Sequence, residues 1–172
     1  MKILKIKLLQ EGKFRNPDDI YWYFKNVLFK NPDWPKRVAS FMESDTRNPN
    51  LMSKWERFFK KRFGEFVRDF TPEEKETFFK ALLCGIHYRR NTLSKGTYMN
   101  KKRTKSHLYS DISERTDVEN FLEKIVRQHF SDLIDKDYVP DWLYKRIKGE
   151  RKNKIEATRN LINVCKSLKI EI

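Results

Sequence analysis

The sequence predicts a mostly α-helical, bundle-like single domain, to which a small pair of terminal β-strands could be added. Three observations support this fold class. The chain of 172 residues carries 13 Phe, 7 Tyr and 4 Trp, enough large apolar side chains to fill one core. It has only 5 Gly and 6 Pro, too few for a turn-rich β-sandwich or barrel. Helix-start signals and apolar stripes with helical spacing recur along the chain.

Alternating apolar and charged residues at both ends predict the terminal strands. Leu4, Ile6 and Leu8 alternate with lysines near the N-terminus. Residues 168–172 alternate in the same way, but they fit the last turn of a helix as well. The two ends could pair, although a two-stranded sheet is stable only when helices cover it.

Two short helices are predicted to follow the N-terminal strand. Asn16 and Pro17 form a helix start, with an N-cap side chain and a proline at the first helical position. The acids Asp18 and Asp19 suit the positive end of the helix dipole. The second short helix follows residues 31–33, and residues 45–50 are predicted to be a loop.

The segment 51–70 is predicted to be a helix with one aromatic face. Its aromatic side chains have helical spacing and are assigned to the core, because base stacking requires exposed rings. A basic stripe lies roughly opposite, either as a solvated face or as a secondary contact with phosphate. The aromatic stripe is Trp55, Phe59, Phe63, Phe66 and Phe70, and the basic stripe is Lys54, Arg57, Lys61 and Arg68.

The second half of the chain contains further helix signals on either side of a long basic segment. Thr71 to Glu74 form a capping box that opens a helix ending near Arg90. Residues 91–113 lack a helical apolar period and are predicted to be a loop. Thr116 to Glu119 form a second capping box, and a closing helix is predicted over 155–168. The chain is thus divided into a helical core (1–90), a basic loop (91–113) and C-terminal helices (114–172) within one compact unit.

Positive charge is the strongest functional signal. The chain has 38 Lys and Arg against 24 Asp and Glu, a net charge of +14. Residues 77–110 contain eight Lys and Arg and no acid, residues 111–140 contain eight acids and four bases, and residues 141–172 contain nine bases and four acids. Clustering of this kind favours a binding face for a polyanion, of which DNA and RNA are the commonest.

Two basic segments are the predicted nucleic-acid contacts. The loop combines cations with hydroxyl residues and with Tyr98, which is available for stacking, and Tyr88 directly precedes it. The alternative is a solvated segment. The candidate residues in and beside the loop are Arg89, Arg90, Lys95, Lys101, Lys102, Arg103 and Lys105, and those of the C-terminal segment are Lys145, Arg146, Lys148, Arg151 and Lys152.

The segment 140–152 resembles the recognition helix of repressor-like helix-turn-helix proteins. That family's helix ends in an Ile-x-x-Gly-x-Arg pattern, and Ile147-Lys148-Gly149-Glu150-Arg151 is similar but one residue shorter. Residues 163–170 resemble the family's following helix, but the short helix pair that should come first is not evident. The resemblance covers less than a third of the chain. It implies that Trp142, Leu143 and Ile147 pack inward and that Lys145, Arg146 and Lys148 face the major groove or phosphates.

No motif predicts an enzyme. Asp141, Glu150 and Lys152 satisfy the pattern of a Pro-Asp…Glu-x-Lys nuclease, but that chemistry needs adjacent strands around a divalent metal, and helix is predicted here. His87, His107 and His129 are isolated from one another and from any cysteine pair, and His129 is assigned to packing. We therefore predict no catalytic residue, no metal ligand and no cofactor, although a nuclease built from distant residues stays open.

The remaining predictions concern location and function. Cys84 and Cys165 show no paired spacing, which predicts free thiols and a reducing, cytoplasmic location. No apolar run is long enough to span a membrane. The predicted function is that of a non-catalytic, nucleic-acid-binding accessory or regulatory protein. Such a protein could act alone or within a larger ribonucleoprotein. The alternatives are a helix-turn-helix transcription regulator and a protein-binding inhibitor of a nucleic-acid-processing complex. Oligomeric state and the choice between DNA and RNA are left open.

Overall fold

Eight α-helices follow one another in the part of the chain that the structure describes. The computed structural model describes the backbone of residues 14–99 and 105–170 and the side chains of residues 14–91 and 113–170. The all-α class is confirmed, and no strand occurs within these ranges. The helices are α1 (Pro17–Asn26), α2 (Trp34–Asp45), α3 (Pro49–Lys61), α4 (Phe63–Asp69), α5 (Pro72–Met99), α6 (Lys105–His129), α7 (Asp141–Lys148) and α8 (Ala157–Ser167), with single 3₁₀ turns at Leu28–Lys30 and Ser131–Leu133.

Local sequence signals account for several helix starts. The Asn16 side chain accepts a hydrogen bond from the Asp19 amide at 3.0 Å, as expected of an N-cap. Thr71 and Glu74 form the predicted capping box: the Glu74 amide donates to the Thr71 hydroxyl at 3.1 Å, and the Thr71 amide donates to the Glu74 carboxylate at 3.0 Å. Asn48 lies in the predicted loop over 45–50 but is an N-cap, and it starts α3 two residues earlier than predicted.

The predicted helix over 51–70 is broken in two. Arg62 leaves helical geometry at φ −124° and ψ −26°, so α3 ends at Lys61 and α4 begins at Phe63. The aromatic stripe is still used as predicted, because Trp55, Phe59 and Phe63 are buried. Phe58 is buried beside this stripe, and aromatic rings from both α3 and α4 belong to one core.

The prediction of a loop over residues 91–113 is wrong where the structure describes it. Helix α5 continues through residues 91–99, and α6 begins at Lys105, eleven residues before the second capping box. Residues 100–104 lie outside the described residues. The segment has weak helix formers, but it contains no proline, and each residue added to an existing helix forms a further backbone hydrogen bond. Thr116 therefore lies inside a helix rather than at its start.

The core is one aromatic cluster shared by most of the helices. Phe63 and Phe78 lie 4.7 Å apart between ring centroids, and Phe24 and Phe58 lie 4.8 Å apart. Such rings bury large apolar areas, and tilted or edge-to-face pairs add further stabilisation. The cluster extends from Phe14 to Cys165, so the C-terminal helices belong to the same core as the N-terminal ones.

A disulfide ties the last helix to the middle of the chain. Cys84 of α5 and Cys165 of α8 are bonded, with their Cα atoms 5.8 Å apart and a sequence separation of 81. The prediction of two free thiols is wrong. Their spacing in the chain does not reveal the pair, because packing of α8 on α5 brings the cysteines together. Disulfides are typical of oxidising compartments, so the cysteines no longer support the predicted cytoplasmic location.

The C-terminal strand is not formed within the described residues. Helix α8 ends in a turn in which the Ile170 amide donates to the Cys165 carbonyl at 2.9 Å, with Lys169 at φ +60°. This is the hydrogen-bond pattern of a Schellman helix ending, although glycine is the usual residue at positive φ. The predicted strand over residues 4–8 and the last two residues, 171–172, lie outside the described part. No described helix is both long enough and apolar enough to cross a membrane.

Candidate nucleic-acid interface

Several predicted phosphate contacts are instead joined in an internal ion-pair network. Glu119 of α6 accepts hydrogen bonds from Arg90 of α5 at 2.8 Å, Arg115 of α6 at 3.2 Å and Arg146 of α7 at 3.1 Å. Burial alone would raise the pKa of Glu119, but the hydrogen bonds and positive charges of Arg90 and Arg115 outweigh it and hold the pKa below its ordinary value. Arg146 also contacts Glu123 at 3.1 Å. The acidic helix thus neutralises part of the basic surface.

Arg89 and Arg90 contact neighbouring helices. The Arg89 side chain is 7% exposed and pairs with Glu114 of α6 at 3.1 Å. The Arg90 guanidinium lies 4.9 Å from the centroid of the Trp142 ring. Burial lowers the pKa of both guanidinium groups from the ordinary arginine value. Both residues therefore connect α5 to its neighbours, an arrangement that their position beside a predicted loop does not suggest.

Apart from Arg146 of the network, the C-terminal candidates are one arginine with an enclosed side chain and three exposed lysines. The Arg151 side chain is 8% exposed; it donates to the Val139 carbonyl at 2.7 Å and to Asp141 at 2.6 Å. Its guanidinium also lies over the Tyr144 ring at 4.5 Å. The exposed residues are Lys145, paired with Glu150 at 3.5 Å, Lys148, paired with Asp135 at 2.7 Å, and Lys152, which has no partner among the described residues.

Five cations of the predicted basic segment have side chains outside the described part of the structure. Lys101, Lys102 and Arg103 lie outside the described residues. Lys95 and Lys105 are on α5 and α6, and only their backbone is described. The proposed phosphate contact of these five cations stays a prediction.

The break at Arg62 separates Arg68 from the other three members of the secondary basic stripe, which all lie on α3. Lys54 donates a hydrogen bond to the Phe14 carbonyl at 3.2 Å and so connects α3 to the N-terminal segment. Lys61 is exposed, and Arg68 is exposed beside Asp69 at 3.9 Å. Arg57 is the member of the stripe that lies in a groove.

That groove, called here the α3–α6 groove, is lined by six residues from two helices. It has a volume of about 310 Å³, and the buried side chain of Ile125 forms part of its wall. Lys124 spans it, 3.6 Å from Glu56, and is 63% exposed. Arg57 and Lys60 have no ion-pair partner within the described ranges. The lining residues are Glu56, Arg57 and Lys60 of α3 and Lys124, Ile125 and Gln128 of α6.

The groove combines three cations and an amide with a single carboxylate. This excess of positive charge, together with donors from two facing helices, suits a phosphate group. Sequence reasoning found Arg57 and missed Lys60, Lys124 and Gln128. The spacing of Lys60 from Arg57, one helical turn, was the available signal, whereas Lys124 and Gln128 come from a helix that was classed as acidic.

The geometry of a helix-turn-helix is not met around α7. Helix α7 does end at a glycine, Gly149 at φ +88°, and Leu143 is buried, as the resemblance implied. However, residues 130–140 separate α6 from α7, where the motif has a turn of three or four residues. Arg146 points to Glu119 and Glu123 of α6 instead of an open face.

The residues of the nuclease pattern are engaged separately. Asp141 begins α7 and accepts from Arg151, whereas Glu150 follows the helix and is 82% exposed. His129 hydrogen-bonds the Phe59 carbonyl at 2.7 Å, and burial lowers its pKa, which fits the predicted packing role. Burial, with Arg90 nearby, also lowers the pKa of His87. Within the described ranges, no group of three or more His, Cys, Asp or Glu side chains could hold a metal ion.

Comparison with protein-family models, with curated proteins and with solved structures finds no match to this chain.

Proposed function

We propose that the protein binds nucleic acid without chemistry and grips the phosphate backbone through the α3–α6 groove. The observation that carries the proposal is the groove itself, in which Arg57, Lys60 and Lys124 from two packed helices face one space. The net charge of +14 supplies a long-range attraction for a polyanion. Phosphate contacts carry no base identity, so this site gives affinity without sequence preference.

The groove is a better candidate than the residues of the ion-pair network. Arg89, Arg90 and Arg146 already have carboxylate partners, and recruiting them to phosphate would break those pairs. Arg57 and Lys60 would break no ion pair with a described residue on binding. Exposed Lys145, Lys148 and Lys152, and the cations of residues 95–105, remain secondary candidates for the same backbone.

The first prediction tests the groove by removing its charge. The triple variant Arg57→Gln, Lys60→Gln, Lys124→Gln should weaken binding to duplex DNA on the order of tenfold at about 0.1 M salt. For each phosphate that the variant no longer neutralises, the slope of log affinity against log salt should become shallower by about 0.9. Fluorescence anisotropy with one labelled duplex over a salt series measures both effects.

The matched control removes the same charge elsewhere. Lys30, Lys154 and Lys166 are exposed and form no ion pair in the described part of the chain, and their triple glutamine variant should keep most of the slope. If both triple variants bind equally weakly, the groove is not a site and only net charge matters. If the wild-type protein binds no DNA or RNA at low salt, nucleic-acid binding is wrong and an acidic protein partner takes its place.

The second prediction concerns the absence of chemistry. Labelled DNA and RNA incubated with the protein and Mg²⁺ or Mn²⁺ should remain intact, because Asp141 is paired with Arg151 and begins a helix, whereas the nuclease pattern requires adjacent strands. Denaturing gels measure the result. Cleavage by the wild type that disappears in Glu150→Gln would overturn the proposal of a non-catalytic protein.

A further inference from the structure

A second concavity, called here the α2–α5 cleft, is formed by different helices from those of the α3–α6 groove. Its volume is about 780 Å³, within the usual size range of small-ligand sites. Its walls come from α2, from α5 and from the turn after α8. The lining residues are Asp33, Lys36, Arg37, Ala39, Ser40, Glu43, Cys84, Gly85, Tyr88 and Ile170.

The floor of the cleft is closed by tight helix packing. A Cβ atom at Gly85 would lie 2.8 Å from the Met42 Cβ and closer still to the Ala39 carbonyl oxygen. A side chain at this position would therefore force α2 and α5 apart. The cleft therefore opens above this close contact between α2 and α5. Its floor is mostly apolar and is formed by Ala39, Cys84 and Ile170.

The α2 side of the cleft carries two cations, Lys36 and Arg37, that have no ion-pair partner in the described part of the chain. Of the two carboxylates in the lining, Glu43 is occupied by Arg47, whose Nε donates to it at 3.0 Å. Asp33 is the other carboxylate. Two cations, Lys36 and Arg37, thus face one carboxylate, Asp33. This excess of positive charge favours a ligand with an anionic group.

The α5 side presents an aromatic ring. Tyr88 is 38% exposed, which makes it the most accessible large hydrophobic side chain in the described part of the protein. A ring at the edge of an apolar floor offers a planar surface for a nucleobase, and base–aromatic stacking tolerates any base.

We propose that the α2–α5 cleft takes one unpaired nucleotide of a bound single strand. The base lies against Tyr88 over the apolar floor, and the phosphate is held by Lys36 and Arg37 with the Ser40 hydroxyl as a further donor. This inference rests on the proposed function and adds a preference to it. Bases in a duplex are stacked inside the helix, so only single strands and duplex overhangs can reach the ring.

The experiment compares a blunt duplex, the same duplex with a short single-stranded overhang, and a single-stranded oligonucleotide. Wild-type protein should bind the overhang substrate more tightly than the blunt one at equal salt. Tyr88→Ala should weaken single-strand binding roughly fivefold to a hundredfold and leave blunt-duplex affinity unchanged. Tyr88→Phe should bind both like the wild type, because the ring is kept. Thermal unfolding of each variant confirms that it folds.

Charge variants separate this cleft from the α3–α6 groove. Lys36→Gln with Arg37→Gln should weaken single strands more than blunt duplexes, whereas the groove triple variant should weaken all substrates alike. The control is Lys30→Gln with Lys166→Gln. If Tyr88→Ala binds single strands like the wild type while the groove variant still binds more weakly, the cleft proposal fails and the proposed function stands.

Two other results would overturn the proposal for the cleft. Equal weakening for blunt duplex and single strand in Tyr88→Ala would assign the ring to the fold or to a general contact. Binding of free AMP that Tyr88→Ala abolishes, with no effect on single strands, would assign the cleft to free nucleotides. Failure of the wild type to bind any nucleic acid would end both proposals together.

Discussion

Glu119 and Asp45 show two ways in which single carboxylates are accommodated in this protein. Glu119 is surrounded by guanidinium groups from three helices and stays ionised. Asp45 is 4% exposed at the end of α2, and its carboxylate accepts a hydrogen bond from the Trp55 indole at 2.8 Å. Burial without a paired cation raises the pKa of Asp45 to about 6.

The third prediction follows from Asp45. Its pKa is higher in the folded state, near 6, than the 3.8 of an unperturbed aspartate, so the folded protein binds the proton more tightly. This group therefore destabilises the fold above pH 6, and the penalty is relieved as pH falls from about 6 toward 3.8. At full relief the gain is about 3 kcal/mol. The measurement is the free energy of unfolding against pH.

Asp45→Asn isolates the effect, because the asparagine Oδ1 can still accept from Trp55 but cannot titrate. The histidines titrate in both proteins and cancel in the difference between the two profiles. The variant should be more stable than the wild type at pH 7 and should lose that advantage near pH 4. Parallel profiles over this range would contradict the assignment. Near pH 4, where this charge penalty is nearly gone, Asp45→Ala should cost about 1–3 kcal/mol, because the Trp55 N–H loses its acceptor. At pH 7 the loss of the buried charge should offset that cost.

At the scale of elements, α8 is held to the bundle by packing and by one covalent bond. Leu161 and Cys165 are buried in its inner face, and Cys165 is bonded to Cys84 of α5. The bond closes a segment of 81 residues, which removes conformational freedom from the unfolded chain. The same packing positions Ile170 at the edge of the α2–α5 cleft.

The fourth prediction is that reduction destabilises the protein. In the chain-entropy model a loop of this length contributes roughly 4–5 kcal/mol at 25 °C. Adding a phosphine reductant should lower the midpoint of thermal unfolding, and native protein purified without reductant should show no free thiol. Both cysteines are buried, so reduction should be slow until the fold opens.

The control is Cys84→Ala with Cys165→Ala, whose midpoint should already be lowered and should not respond to the reductant. Two titratable thiols in the native protein, together with an unchanged midpoint on reduction, would show that the disulfide does not form in solution. That result would again favour a reducing compartment.

At the scale of the whole molecule, ion pairs join the acidic segment 111–140 to the basic segments that flank it in the chain. The net −4 of residues 111–140 faces basic residues of α5 and α7, where Arg90 and Arg146 meet Glu119. Arg57 and Lys60 of the α3–α6 groove and Lys36 and Arg37 of the α2–α5 cleft, in contrast, have no ion-pair partner among the described residues. The charge clusters of the sequence therefore do not coincide with the two surfaces proposed here to bind nucleic acid.

Sequence alone determined the features that depend on neighbouring residues. The caps at Asn16 and Thr71 and the buried face of Trp55, Phe59 and Phe63 follow from spacing within one or two helical turns, and the all-α class follows from such local signals. Among these local predictions the loop over 91–113 was wrong, because continuation of the existing helices outweighed the weak helix propensity of its residues.

Only the tertiary structure decided which distant residues meet. The Cys84–Cys165 bond, the arginines around Glu119, the Arg57–Lys124 groove and the Tyr88 cleft each join residues from different helices. Their partners lie tens of residues apart in the chain, and no spacing rule encodes such contacts. Packing of the aromatic core sets the positions of the helices, and those positions decide whether a charged side chain finds an internal partner or stays open to a ligand.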